Sequence, residues 1–128
     1  MYSLISSGIQ VSVETFYQPD HSVPSRSEFV FAYRVTIENK NDFPVRLLSR
    51  YWLINDSNGD RREVEGEGVV GVQPVILPGK HYQYISACHL QSEMGRMSGE
   101  YLMQNIHTHQ HFKCEIPAFF MEAPSKLN

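Results

Sequence analysis

The chain has 128 residues, of which 41% are hydrophobic and 20% are charged, and its net charge is −3. This length suits one domain, and the composition lies outside the range of disordered proteins. The acidic balance argues against a nucleic-acid-binding protein, which would carry a basic face. We therefore predict one domain over residues 1–128, with a core over about 9–119 and a C-terminal tail over 120–128.

The sequence shows no targeting or membrane segment. No apolar run approaches the roughly 20 residues that a membrane-spanning helix requires, and the first eight residues lack the basic start and apolar length of a signal peptide. These features predict a cytoplasmic protein without membrane insertion. Cys88 and Cys114 are too few for a disulfide scaffold, so both are predicted to be buried thiols.

Alternation of apolar and polar residues predicts short strands throughout the chain, and no helix is predicted. The clearest strand spans Phe29 to Glu38, whose odd-numbered residues are apolar. From Val45 to Ile54 both parities carry bulk, which predicts a strand covered on both faces. Asn58-Gly59 and Pro78-Gly79 are predicted to form turns. Further strands are predicted near residues 9–14, 61–65, 75–77, 81–90, 99–106 and 112–116, and a loop is predicted over residues 91–98.

Seven to eight short antiparallel strands in about 125 residues predict an all-β fold, an immunoglobulin-like or fibronectin type III-like β-sandwich. A closed barrel is the main alternative. Pro117 is predicted to end the last strand or to confine it to a sheet edge, because proline has no N–H to donate to a neighbouring strand.

Gly66, Gly68 and Gly71 form a G-x-G-x-x-G pattern, as in dinucleotide-binding proteins. That fingerprint works where a helix follows the glycines and its N-terminus holds a pyrophosphate. Pro74 and Pro78 instead favour extended chain here. The pattern therefore predicts a connection between two strands, where the backbone needs positive φ or a close approach.

His107, His109 and His111 alternate, so on a strand their side chains would share one side and could bind a transition-metal ion. The simpler interpretation is the solvent side of an edge hairpin, with no cofactor beyond a weakly held divalent metal. No catalytic residue is predicted, because His89 falls on the opposite strand face from Cys88 and no serine or cysteine lies in a glycine elbow.

Several motifs occur in order along nearly the whole chain. They are F-V-F-A-Y-R-V-T-I-E-N at 29–39, L-L-S-R-Y-W at 47–52, the glycine pattern through 73–74, Y-x-S at 84–86 and G-x-M-x-G-x-Y-x-M at 95–103. Their order and spacing, from about Ile9 to Phe119, resemble the ApaG family. The resemblance implies a fibronectin type III-like sandwich without established catalytic activity and a link of bacterial members to cobalt and magnesium efflux, exerted through a partner.

We expect a non-enzymatic protein-interaction module with an as yet unidentified protein partner. Its recognition surface is predicted at the glycine loop and a neighbouring Met94–Met97 loop, because rigid sandwiches carry binding residues on their loops. One alternative is a nucleotide or pyrophosphate ligand, such as a dinucleoside polyphosphate, held by loop amides and Arg96. Another is a metal-responsive protein using the three histidines. The candidate binding residues are Gly66, Gly68, Val69, Val70, Gly71, Gln73 and Arg96.

Overall fold

A computed structural model describes residues 1–124 of the chain, and these residues form nine strands. Two short 3₁₀ helices, Pro19–His21 and Pro24–Arg26, connect the second strand to the third. No helix in residues 1–124 is long and apolar enough to cross a membrane. The strands are β1 (Tyr2–Ser6), β2 (Ile9–Tyr17), β3 (Phe29–Asn39), β4 (Val45–Asp56), β5 (Arg61–Glu67), β6 (Val75–Ile76), β7 (His81–Leu90), β8 (Met94–Asn105) and β9 (His111–Glu122).

The strands form two antiparallel sheets around one hydrophobic core. One sheet has the order β1-β2-β3-β7, and the other has the order β5-β4-β8-β9, with β6 also paired to β4. This arrangement confirms the predicted all-β, fibronectin type III-like sandwich. Residues 1–124 contain nine strands rather than seven or eight. One addition is β1, a five-residue strand that pairs with β2 and that alternation alone did not predict.

The core lies between the sheets and is built from alternate residues of each strand. In β3 the odd-numbered residues from 31 to 37 are buried, as predicted. An aromatic group joins the two sheets: the Trp52 ring lies 5.5 Å from Tyr33 and 5.8 Å from Phe119, both edge to face. Such packing holds the sheets in one relative position, so loops at the sheet edges are carried on a rigid body.

A β-bulge at Leu48 explains why β4 carries bulky residues of both parities. Leu47 and Ser49 pair with adjacent residues of β8, so that Leu48 is an extra residue. Leu47 faces the core before the bulge and Trp52 faces it afterwards, while Leu53 is only half-buried. The predicted burial of both faces was therefore wrong, because only one face of β4 is buried. Odd-numbered residues occupy that face before the bulge, and even-numbered residues occupy it afterwards.

β8 begins at Met94, so the predicted Met94–Met97 loop was wrong. Met97 is buried and Met94 is exposed, as expected in a strand. The alternation was hidden because Gly95 occupies a buried position, where an added Cβ would lie 2.6 Å from a methyl carbon of Leu90. A side chain there would collide with the core, so the strand requires glycine at this position. Glycine is also the residue that interrupts the apolar–polar alternation.

β9 continues to Glu122, beyond the predicted end of the last strand, and Met121 is buried. The described part of the predicted tail is therefore partly core, and residues 125–128 lie outside the described residues. Pro117 lies within β9 at a bulge, where it and Ala118 face the single residue Ser98 of β8. The predicted edge position of this strand is confirmed, because β9 is the last strand of its sheet.

Candidate functional site

Residues 66–73, here called the glycine hairpin, lead from β5 towards β6. At the tip, the Val69 amide donates to the Val72 carbonyl at 2.8 Å and the Val72 amide donates to the Val69 carbonyl at 3.1 Å. The φ angles of Val70 and Gly71 are 48° and 82°. Two positive φ angles in a two-residue loop define a type I′ turn. The predicted connection between strands is thereby confirmed, and no helix follows the glycines.

Each glycine of the G-x-G-x-x-G pattern has a structural reason. An added Cβ at Gly66 would lie 2.7 Å from Nη1 of Arg50, and one at Gly68 would lie 2.0 Å from the carbonyl oxygen of Val72. Gly71 has open space around it but occupies the second left-handed position of the turn. Backbone geometry alone therefore accounts for the pattern.

Arg50 and Gln73 attach the glycine hairpin to β4. Nη1 of Arg50 donates to the carbonyl oxygens of Glu67 at 3.0 Å and Gly68 at 3.1 Å. The carbonyl of Leu48, the bulge residue, accepts from Nε2 of Gln73 and from the amide of Gly68, both at 2.8 Å. The hairpin is thus fixed to the bulge at both of its ends.

The strand after the hairpin is held by a buried asparagine. Nδ2 of Asn39 donates to the carbonyls of Ile76 at 2.9 Å and Phe43 at 2.8 Å. A turn follows, in which the Lys80 amide donates to the Leu77 carbonyl at 3.0 Å and Gly79 has φ 75°. These values fit the type II turn predicted at Pro78-Gly79, so the chain is ordered on both sides of β6.

Four exposed apolar side chains lie within this short segment. Val70 at the turn is 63% exposed, whereas its neighbour Val69 is fully buried and anchors the turn in the core. The preceding strand, β5, presents three exposed glutamates, at positions 63, 65 and 67. Where exposed apolar side chains form one patch, the patch often marks an interaction site. We call this group the valine surface; its members are Val70, Val72, Val75 and Leu77.

The structure does not bring together the predicted ligands for a pyrophosphate. The amides of Gly68 and Val69 already donate to backbone carbonyls. Arg96 pairs with Asn55 of β4, whereas the hairpin adjoins Ser49. At about 3.3 Å per residue these positions on β4 are about 20 Å apart. Arg96 therefore lies at the far end of the strand, away from the six other candidate binding residues.

Residues 106–110, here called the histidine turn, connect β8 to β9. The side-chain oxygen of Asn105 accepts from the amides of His107 at 2.9 Å and Thr108 at 3.3 Å, and the His109 amide donates to the Asn105 carbonyl at 2.8 Å. Only His111 belongs to a strand. The hypothesis that the three histidines share one side of a strand was wrong, because the asparagine closes a turn between the strands predicted near residues 99–106 and 112–116. No group of three or more His, Cys, Asp or Glu residues within 1–124 is arranged to hold a metal ion.

Cys88 and Cys114 are buried free thiols, as predicted. Burial raises the pKa of Cys114 to about 12. Burial also raises the pKa of Cys88, although the nearby charge of Arg62 opposes this shift. Both groups therefore stay protonated at neutral pH, and a protonated thiol is a poor nucleophile. His89 is exposed on the opposite face of β7.

Comparison with known proteins identifies the family. The sequence model of the ApaG domain matches residues 19–105. Protein ApaG of Brucella canis is 48% identical over 126 residues, which cover 98% of this chain and 96% of the relative. The chain belongs to the ApaG family. A second ApaG relative, from Brucella anthropi, is 45% identical with the same coverage.

Two solved structures are similar to the structure of this chain. The putative ApaA protein from Bordetella pertussis is 37% identical, with a TM-score of 0.87 over 92% of this chain and 95% of that chain. The C-terminal domain of wzt is only 6% identical, with a TM-score of 0.58 over 98% of this chain and 79% of that chain, and shares the fold alone.

Sequence reasoning missed part of this ApaG surface. It named Val69 and Val70 but not the exposed apolar residues that follow, Val72, Val75 and Leu77. A signal was present: prolines at 74 and 78 leave room for a strand of at most three residues, and alternate side chains of such a strand face opposite sides, so part of it is exposed.

Proposed function

We propose that this ApaG chain is a non-enzymatic, cytoplasmic protein-interaction module, and that its partner binds the valine surface. The observation that carries the proposal is the conformation of Val70. A β-branched residue at positive φ is a rare outlier that costs about 1–2 kcal/mol, and this one is 63% exposed. A strained residue that contributes nothing to the core points to a role outside folding.

The chemistry of the surface defines the partner. Val70 and Val72 are exposed, and so are Glu65 and Glu67, which lie a few residues before them in the chain. A complementary partner offers an apolar pocket with lysine or arginine at its rim, since interfaces combine an apolar centre with matched charges around it. The attachment of the hairpin through Arg50 reduces the conformational entropy that binding would otherwise remove.

A non-enzymatic role agrees with the chemistry of the interior. The two thiols are buried and protonated, and His89 faces away from Cys88. On this proposal, the link to cobalt and magnesium efflux that the family resemblance implies is exerted by the partner. The ApaG chain then contributes recognition, and the partner contributes the ion chemistry.

The test is the substitution Val70→Asn. Asparagine followed by glycine is the preferred sequence of a type I′ turn, so the variant keeps the hairpin and removes the apolar tip. Proteins retained from a cell lysate by the native chain are identified, the best candidate is purified, and its Kd is measured for both chains. We expect binding to weaken at least tenfold with Val70→Asn, as for loss of an interface hot spot.

The matched control is Ile85→Thr, which removes an apolar side chain of similar exposure, 61%, from the outer face of β7. This variant is expected to bind the partner with unchanged Kd. A partner that binds the Val70→Asn chain as tightly as the native chain, or that is lost equally with Ile85→Thr, would refute the valine surface as the binding site.

A further inference from the structure

A cleft of about 280 Å³ lies between the two sheets, where residues of β4 and β5 face residues of β3 and β7. None of the four residues of the valine surface lines it. Its walls include Trp52 and Val64 from one sheet and Tyr33 and Cys88 from the other. Ser86 and His89 also line it, so the cleft combines apolar and polar walls. It is a separate feature of the molecule.

Two arginines, Arg50 and Arg62, also line this cleft. Neither forms an ion pair with a carboxylate within residues 1–124. Arg50 uses only Nη1 in hydrogen bonds to the hairpin. Arg62 uses only Nη2, which donates to the carbonyl of His89 and to Sγ of Cys88. A guanidinium has five N–H donors, so both side chains keep donors that no group within residues 1–124 uses.

The charge of Arg50 acts on the interior of the cleft. Arg50 is half-buried. Burial raises the pKa of Tyr33 and of Tyr84, and the nearby guanidinium of Arg50 partly opposes both shifts. A guanidinium that forms no ion pair and keeps unused donors favours an anion that can reach it.

We propose that this cleft binds the carboxylate of a small aromatic acid between the guanidinium groups of Arg50 and Arg62, with the aromatic ring against Val64. Planar guanidinium forks match a carboxylate through paired hydrogen bonds. The volume lies just below the range of about 300–1,000 Å³ that is usual for ligand pockets. It suits a single ring rather than a nucleotide.

The chain supplies its own reporter for the test, because Trp52 is its single tryptophan. Tryptophan fluorescence of the full chain is titrated with benzoate, with benzamide as the neutral analogue of the same shape, and with inorganic phosphate, all at constant ionic strength. Benzoate is expected to give a saturable change. Benzamide and phosphate are expected to give at least tenfold weaker responses, since only benzoate combines the ring with the charge.

The decisive variant is Arg62→Gln, on the exposed edge strand, which leaves the bonds of Arg50 to the hairpin in place. We expect it to weaken benzoate binding about tenfold or more. The control Arg96→Gln removes an equal charge from an exposed position outside the cleft and is expected to leave the titration unchanged.

The assignment would be overturned by no saturable change with benzoate, by equal responses to benzoate and benzamide, or by equal weakening by Arg62→Gln and Arg96→Gln. A response to phosphate as strong as that to benzoate would replace the aromatic carboxylate with a general anion and would also reject it. None of these outcomes depends on the valine surface, so this proposal and the interaction proposal fail separately.

Discussion

The glycine hairpin and the histidine turn are both tight reversals that contain a non-glycine residue at positive φ, Val70 at 48° and His109 at 64°. They differ in what holds them. The glycine hairpin is bonded to β4 by Arg50 and Gln73, and Val69 beside its tip is fully buried. The histidine turn is closed mainly by the adjacent Asn105.

This difference shows how to rank two sequence motifs that both resemble binding sites. A turn that is closed by its own neighbour needs only local residues, so its exposed side chains are free to vary. A turn that is bonded to the next strand by long side chains is positioned by the whole fold, so what it exposes is presented in a fixed place. By this criterion the glycine hairpin is the better candidate for recognition.

The largest expected effect tests whether the glycine hairpin is part of the fold. Gly68→Ala places a Cβ 2.0 Å from the Val72 carbonyl oxygen, at φ 58°. We expect the free energy of unfolding in urea to fall by about 3 kcal/mol or more. The control Gly71→Ala also has positive φ but open space, and is expected to lose about 1–2 kcal/mol. Equal losses would show that the close approach does not matter.

A smaller loss of stability is expected when the side chain that holds the glycine hairpin or the histidine turn is removed. Arg50→Gln removes the charge-assisted bonds to the carbonyls of Glu67 and Gly68, and is expected to lower the free energy of unfolding by about 2 kcal/mol. Asn105→Ala removes two exposed bonds in the histidine turn and is expected to cost about 1 kcal/mol.

Amide hydrogen exchange locates the two effects. With Arg50→Gln, faster exchange is expected at the Gly68 amide, which donates to β4, whereas Asn105→Ala is expected to change exchange only near its own turn. Faster exchange of the Gly68 amide in the Asn105→Ala chain would contradict the independence of the two turns.

The smallest expected effects are gains in stability. Val70→Asn replaces a β-branched residue at φ 48° and is expected to raise the free energy of unfolding by about 1 kcal/mol. His109→Asn is expected to gain only a few tenths, because histidine already tolerates the left-handed region. Thermal unfolding of the two variants measures both, and a larger gain at position 109 would reverse the assignment of strain.

Much of the fold was predictable because apolar and polar residues alternate almost without interruption in β3 and β7. The polarity of each residue there indicates which face of the strand it occupies. The glycine hairpin was also predicted as a strand connection, since Pro74 and Pro78 exclude a helix. These signals are local, so a single sequence contains them.

The missed features depend on pairing between distant segments. The parity change at Leu48 exists only because β8 lacks a residue opposite it. The role of Arg50 requires Gly66 to lie opposite it on β5, a register that no local pattern specifies. The histidine turn was different, since its position between the strands predicted near residues 99–106 and 112–116 needed only local signals, among them the typical turn residue Asn105.

The two borders of the β5-β4-β8-β9 sheet lead to a practical consequence for handling the protein. An unpaired strand can recruit another chain and start a growing aggregate. The β9 border is interrupted by Pro117 at a bulge. Proline has no N–H to donate under any solution condition, so this protection is permanent. The β5 border relies instead on the charges of three glutamates. Added salt screens that repulsion, so we expect association at high ionic strength to begin at β5 while the sandwich itself is still folded.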